Sequence, residues 1–206
     1  MIKFYKYYFL KKITDNNKED KMSYKVFVIA CFGLSFLAFG VSNSTYSMDA
    51  KYVGTKTCGM CHKKDDVGNQ YKIWQDSKHS QAYKTLQTEK ADKVAKDKGF
   101  KTKAVETKEC LKCHTVGYDL DASLLNKNFK VEDGVQCETC HGPGSEYKSK
   151  NVMQDKKLAV EKGLMLYKNP EELCKKCHND KSPFFKGFEF KTMWAKIVHT
   201  NPKVKK

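Results

Sequence analysis

The chain has 206 residues and a formal net charge of +15, and all 39 of its basic side chains are lysine. Without arginine it lacks the planar fork that grips phosphate and reads base edges, so the charge does not point to nucleic acid. The mean hydropathy is −0.69, and with so little aliphatic material a large conventional core is not expected.

In chain order, residues 1–21 precede Met22, which would make a more ordinary start. Residues 22–50 contain VFVIACFGLSFLAFGV, preceded by Lys25 and followed by Ser44, Thr45 and Ser47. A basic flank, an apolar stretch and small polar residues read as a secretory signal. The run is short of the about 20 apolar residues that a membrane span needs; an uncleaved N-terminal membrane anchor is the alternative. Cys31 inside it is read as one more apolar residue rather than a lipid attachment point.

From Lys51 onward, 32 lysines face 20 acidic residues. This stretch, 51–206, is expected to form one domain. Its cysteines fall into four copies of one motif: Cys58-x-x-Cys61-His62, Cys110-x-x-Cys113-His114, Cys137-x-x-Cys140-His141 and Cys174-x-x-Cys177-His178. This is the attachment pattern of c-type haem, in which two sulfurs form thioethers with the two vinyl groups. Two intervening residues let one helical turn set the sulfurs over adjacent ring edges, and the following histidine reaches the iron. Zinc would draw four ligands from paired motifs and leave the repeated histidine without a purpose. A disulfide framework would leave it equally idle. The expected cofactor is therefore four covalently bound haem c groups, and the expected fold is mainly α with extensive loops, wrapped around them.

Four irons have eight axial positions, and the motifs supply four ligands: His62, His114, His141 and His178. Only His79 and His199 remain, so at most two irons take a second imidazole from this chain. His79 lies in a segment of helical character, with Gln75, Ala82, Tyr83 and Leu86 on the same side. His199 follows an apolar stripe of Phe190, Met193, Trp194, Ile197 and Val198, and on a continued helix would fall nearly opposite it. Met153, Met165, Met193, Tyr118, Tyr147 and the lysines are the other candidates for unfilled positions, alongside open irons.

These pieces resemble the tetrahaem cytochrome c-554 family, grouped with the cytochrome c-552/4-like multihaem proteins. The resemblance rests on "CGMCH", "WQDSKHSQAYKTL", "CLKCHTVGY", "GVQCETCHGPG", "CKKCHND" and "AKIVH", which together cover Lys51 to His199. It implies that His199 faces the haem of His62, that His79 faces the haem of His141, and that the iron on His114 is open. It also implies a distal histidine for the fourth haem shortly after "CHGPG". No histidine occurs between His141 and His178, so the iron on His178 is left to Tyr147, a nearby lysine or Met153, or to a vacant site.

The functional expectation is a periplasmic electron carrier rather than an enzyme, its lysines docking redox partner proteins with acidic surfaces. The alternative is redox chemistry on a small gaseous ligand, nitric oxide or a related nitrogen oxide, at an open haem, with Phe184, Phe185 and Phe188 as an apolar lid. A structural role as a membrane-anchored haem subunit is a third reading.

Overall fold

The computed structural model describes residues 49–202. The N-terminal apolar run, with the signal or anchor expected there, lies outside the described residues. Among the described residues no helix is long and apolar enough to cross a membrane.

The fold is mainly α with extensive loops. Among the described residues ten short helices follow one another: α1 (Thr55–His62), α2 (Gln70–Gln75), α3 (Ala82–Leu86), α4 (Glu89–Asp97), α5 (Lys108–His114), α6 (Cys137–His141), α7 (Lys150–Gln154), α8 (Lys156–Glu161), α9 (Pro170–Lys175) and α10 (Phe190–Trp194). The sole β feature among the described residues is one isolated parallel bridge between Tyr52 and Leu125. The longest helix among the described residues, α4, has nine residues, and helices of that length are marginal in water by themselves. Local chemistry starts several of them. Thr88 caps α4 by accepting from the Ala91 amide. Asp155 caps α8 and Glu189 caps α10, each accepting from two backbone amides, while Pro170 opens α9.

Packing adds little. The main apolar cluster is Leu86, Ala95, Ala104 and Leu111, with Tyr83, Phe100, Val105, Cys110 and Tyr118 against it. The largest side chains buried almost completely are Gln136, Val53 and Thr55. A buried leucine contributes about 2 kcal/mol, whereas ordering the backbone costs about 1–2 kcal/mol per residue. Two leucines and some alanines do not offset that cost over a domain of this length. The short helices are arranged around something other than an aliphatic core.

The segment carrying His79 is not one helix. α2 ends at Gln75, and a 3-10 turn, His79–Gln81, leads into α3. Two serines break it: Ser77 Oγ donates to the Trp74 carbonyl, and Ser80 Oγ to those of Gln75 and Ser77. Such side-chain bonds compete with the helical ladder. The helical wheel also does not reach His199, because α10 stops at Trp194 and a turn over 195–197 follows before the chain arrives at His199.

Candidate metal centres

Each motif is wound into a helical turn. The first lies at the end of α1, the second at the end of α5, and the third is α6 itself. The fourth starts on α9, and the His178 amide donates to the Cys174 carbonyl at 2.9 Å to close the last turn. Both sulfurs and the following imidazole are thereby presented from one compact unit, as thioether attachment requires.

The motifs also meet one another. The Cys58 thiol lies beside that of Cys137, and the Cys113 thiol beside that of Cys177. Cys140 lies within electrostatic reach of Cys174 and Cys177. Their spatial order is therefore first, third, fourth, second. The Cys137 contact and then burial push the Cys58 thiol up, while Cys58 draws Cys137 down. Burial pushes Cys140 up to about 11 and Cys177 up to about 12. Among the described residues no three His, Cys, Asp or Glu side chains converge on a common point. The eight described cysteines are unpaired. The cysteines thus form neither a zinc cage nor a disulfide framework.

Four of the imidazoles lie in two close pairs, with the ring planes tilted by 58° in each. The ring centres of His79 and His178 lie 6.0 Å apart, and those of His141 and His199 lie 5.9 Å apart. Two imidazoles bound to one metal from opposite sides, at about 2 Å per bond, have ring centres about 6 Å apart. Both pairs fit that group. The partners differ from those the resemblance implies: His79 faces His178 rather than His141, and His199 faces His141 rather than His62. The Val135 amide donates to the His79 carbonyl at 3.1 Å, and the Trp74 indole donates to the Val135 carbonyl at 2.9 Å. These bonds fasten the backbone of His79 just ahead of the third motif, while its ring centre lies 6.0 Å from that of His178.

Protonation suits metal binding. Nδ1 of His114 lies 2.8 Å from the Ala82 carbonyl, that of His141 3.2 Å from the Met165 carbonyl, and that of His199 3.0 Å from the Ile197 carbonyl. A carbonyl only accepts, so Nδ1 carries the proton and Nε2 keeps its lone pair. Burial pushes His79, His141 and His178 below the usual imidazole range, which favours the neutral, ligating form.

Two buried groups brace the third motif. Glu138, between its cysteines, is 2% exposed and accepts from the amides of Val53, Gly54 and Gly144 at 2.7–3.0 Å. Burial raises its carboxyl above the usual range, and these three donors pull it back. Gly142 follows at φ 76°, a left-handed conformation natural to glycine, and a Cβ there would meet Met165 Sδ at 2.8 Å. The buried phenol of Tyr147 donates to the Gly142 carbonyl at 2.7 Å and lies 3.1 Å from that of His141. Tyr147 therefore clamps the turn after the third motif, and the imidazole close to His178 is that of His79. The three phenylalanines form no common lid: Phe188 stacks on the His178 ring at 4.9 Å, while exposed Phe184 lies beneath the Lys90 ammonium.

Sequence reasoning missed Glu138, the carbonyls behind the imidazoles, and the pairing itself. An acidic residue between two cysteines was the one visible hint.

Residues 57–142 match the family model described as cytochrome c554 and c-prime, a stretch that holds three motifs and His79 but not the fourth motif or His199. Cytochrome c-554 of Nitrosomonas europaea is 31% identical over 126 residues, 59% of this chain and 51% of that protein. The chain thus matches about half the length of that relative. No solved structure matches. Three haem-attachment motifs inside the matched stretch, on a helical, loop-rich frame, agree with that match: over residues 57–142 the chain is similar to the cytochrome c-554 family.

Proposed function

We propose that the chain carries four covalent haem c groups, one on each Cys-x-x-Cys-His motif, and transfers electrons between redox partner proteins after export to the periplasm. The observation that carries this reading is the pair of facing imidazoles near 6 Å, His79 with His178 and His141 with His199. Haem supplies a one-electron couple whose potential follows its axial ligands. The protein's residues set the rest. The cysteine contacts keep the four attachment points in one continuous cluster, and the backbone carbonyls hold three imidazoles as Nε2 ligands. The lysines give acidic partners a steering field.

A haem assay by the pyridine method, with low-temperature EPR of the oxidised protein, tests the reading. Four haems per chain and two bis-imidazole low-spin signals are expected. Protein exported with a working maturation apparatus yet bare of haem by mass spectrometry would overturn it.

A second reading is favoured by one count. The two facing pairs consume both histidines outside the motifs, so within this chain His62 and His114 have no imidazole opposite them. These belong to the first and second motifs, the two ends of the spatial order. A small gaseous ligand such as nitric oxide is then the substrate class for either end. An unchanged absorption spectrum of the reduced protein under nitric oxide ends this reading.

A further inference from the structure

His62 differs from His114, His141 and His199 in what holds its Nδ1. Those three face backbone carbonyls, whereas His62 Nδ1 lies 3.2 Å from Oε1 of the Gln70 side chain. A carboxamide could offer an imidazole either its oxygen or its nitrogen. Here the choice is made elsewhere. Gln70 Nε2 donates to the Val67 carbonyl and lies 3.4 Å from the Thr200 carbonyl. Both partners only accept, so the amide nitrogen stays with them and the oxygen is turned to His62. That makes Nδ1 of His62 the donor and leaves its Nε2 free to ligate.

The surroundings hold this arrangement still. Asn69, at φ 45°, begins α2 immediately before Gln70 and ties its side chain to Asp65 at 2.7 Å. Gly68 sits at φ 99°, and a Cβ there would collide with the Thr200 carbonyl. The segment that carries His199 therefore rests on the loop that carries Gln70. One strap thus supplies the imidazole facing His141 and braces the amide behind His62.

We propose that Gln70 is the positioning residue of His62, fixing its tautomer and basicity, and that it ties the first centre to the His199 strap of the third. The proposal rests on the tetrahaem reading above. An acceptor on the far nitrogen makes an imidazole a more basic ligand, and a more basic ligand favours the oxidised metal. Gln70 thereby lowers the potential of the centre on His62 and leaves the one on His114, held by a backbone carbonyl, untouched.

The test is spectroelectrochemical titration of the full haem-loaded chain and its Gln70→Leu and Gln70→Glu variants, with the haem count and low-spin EPR signals recorded beside it. Gln70→Leu should raise one midpoint potential by about a tenfold change in the oxidised-to-reduced ratio, which is about 59 mV for a one-electron couple. Gln70→Glu should lower the same one, and the other three should stay in place. Resonance Raman of the reduced protein should show an iron–imidazole band moving down with leucine and up with glutamate. Shifts in the same direction for both variants would mean a merely structural role and overturn the proposal, as would no shift at all. Fewer than four haems sinks the tetrahaem reading and this inference together. Four haems with unmoved potentials sinks the inference alone. Gly68→Ala, which displaces the strap, should raise the same potential and also weaken the low-spin signal of the His141–His199 pair; an unchanged potential would remove the tie to the strap.

Discussion

The imidazoles of His79 and His178 face each other across 6.0 Å with their planes tilted by 58°, although 98 residues separate them in the chain. Two rings at that spacing leave room for one metal and its two bonds. If they share an iron, replacing either should abolish one bis-imidazole low-spin EPR signal, and replacing both should abolish the same one. His79→Ala combined with His178→Ala should therefore lose one signal. A double variant that loses two would show that each serves a different iron. His141 and His199 should behave in the same way.

Glu138 is the next point of leverage, because its carboxylate is the partner of three backbone amides from two distant segments. Glu138→Ala leaves those donors buried and unpaired, at a cost of about 3 kcal/mol or more. Glu138→Gln keeps one oxygen but turns an NH2 toward a donor, so about half that loss is expected. Guanidinium unfolding of the haem-loaded protein checks both values. Equal stability of the alanine variant and the parent would mean that the amides are satisfied in some other way.

How much of this was legible beforehand depended on whether the chemistry is local. The Cys-x-x-Cys-His units could be read because sulfur spacing and the adjacent imidazole lie within one helical turn. The mainly α class followed from the motifs and the poor apolar content. The pairing could not be read, since it depends on bonds such as Trp74 to Val135, 61 residues apart. Helical periodicity failed for His79 because Ser77 and Ser80 interrupt the ladder, and for His199 because α10 ends first. The carbonyls of Ala82 and Met165, which orient two imidazoles, have no side-chain identity to recognise.

Tyr147 separates two roles that sequence reading left open. Its phenol donates to the Gly142 carbonyl at 2.7 Å, so Tyr147→Phe should cost about 1 kcal/mol of stability and leave the spin states of all irons unchanged. A new high-spin signal in that variant would return the phenol to the list of ligands.

The lysines carry the last prediction. A surface with all its cations on lysine attracts an acidic partner as a field of hydrated point charges, without the rigid bidentate contacts arginine makes. Such attraction acts mainly on encounter and falls off as the Debye length shrinks from about 10 Å at 0.1 M salt to about 3 Å at 1 M. The second-order rate of electron transfer to an acidic redox protein should therefore drop by at least tenfold across that range. The rate of exchange among the chain's own centres should stay constant, since exchange within one molecule needs no charged encounter. Stopped-flow mixing with an acidic acceptor gives the first rate, and flash reduction of the isolated protein gives the second. A salt-independent bimolecular rate would leave the lysines as a solvating surface with no part in docking.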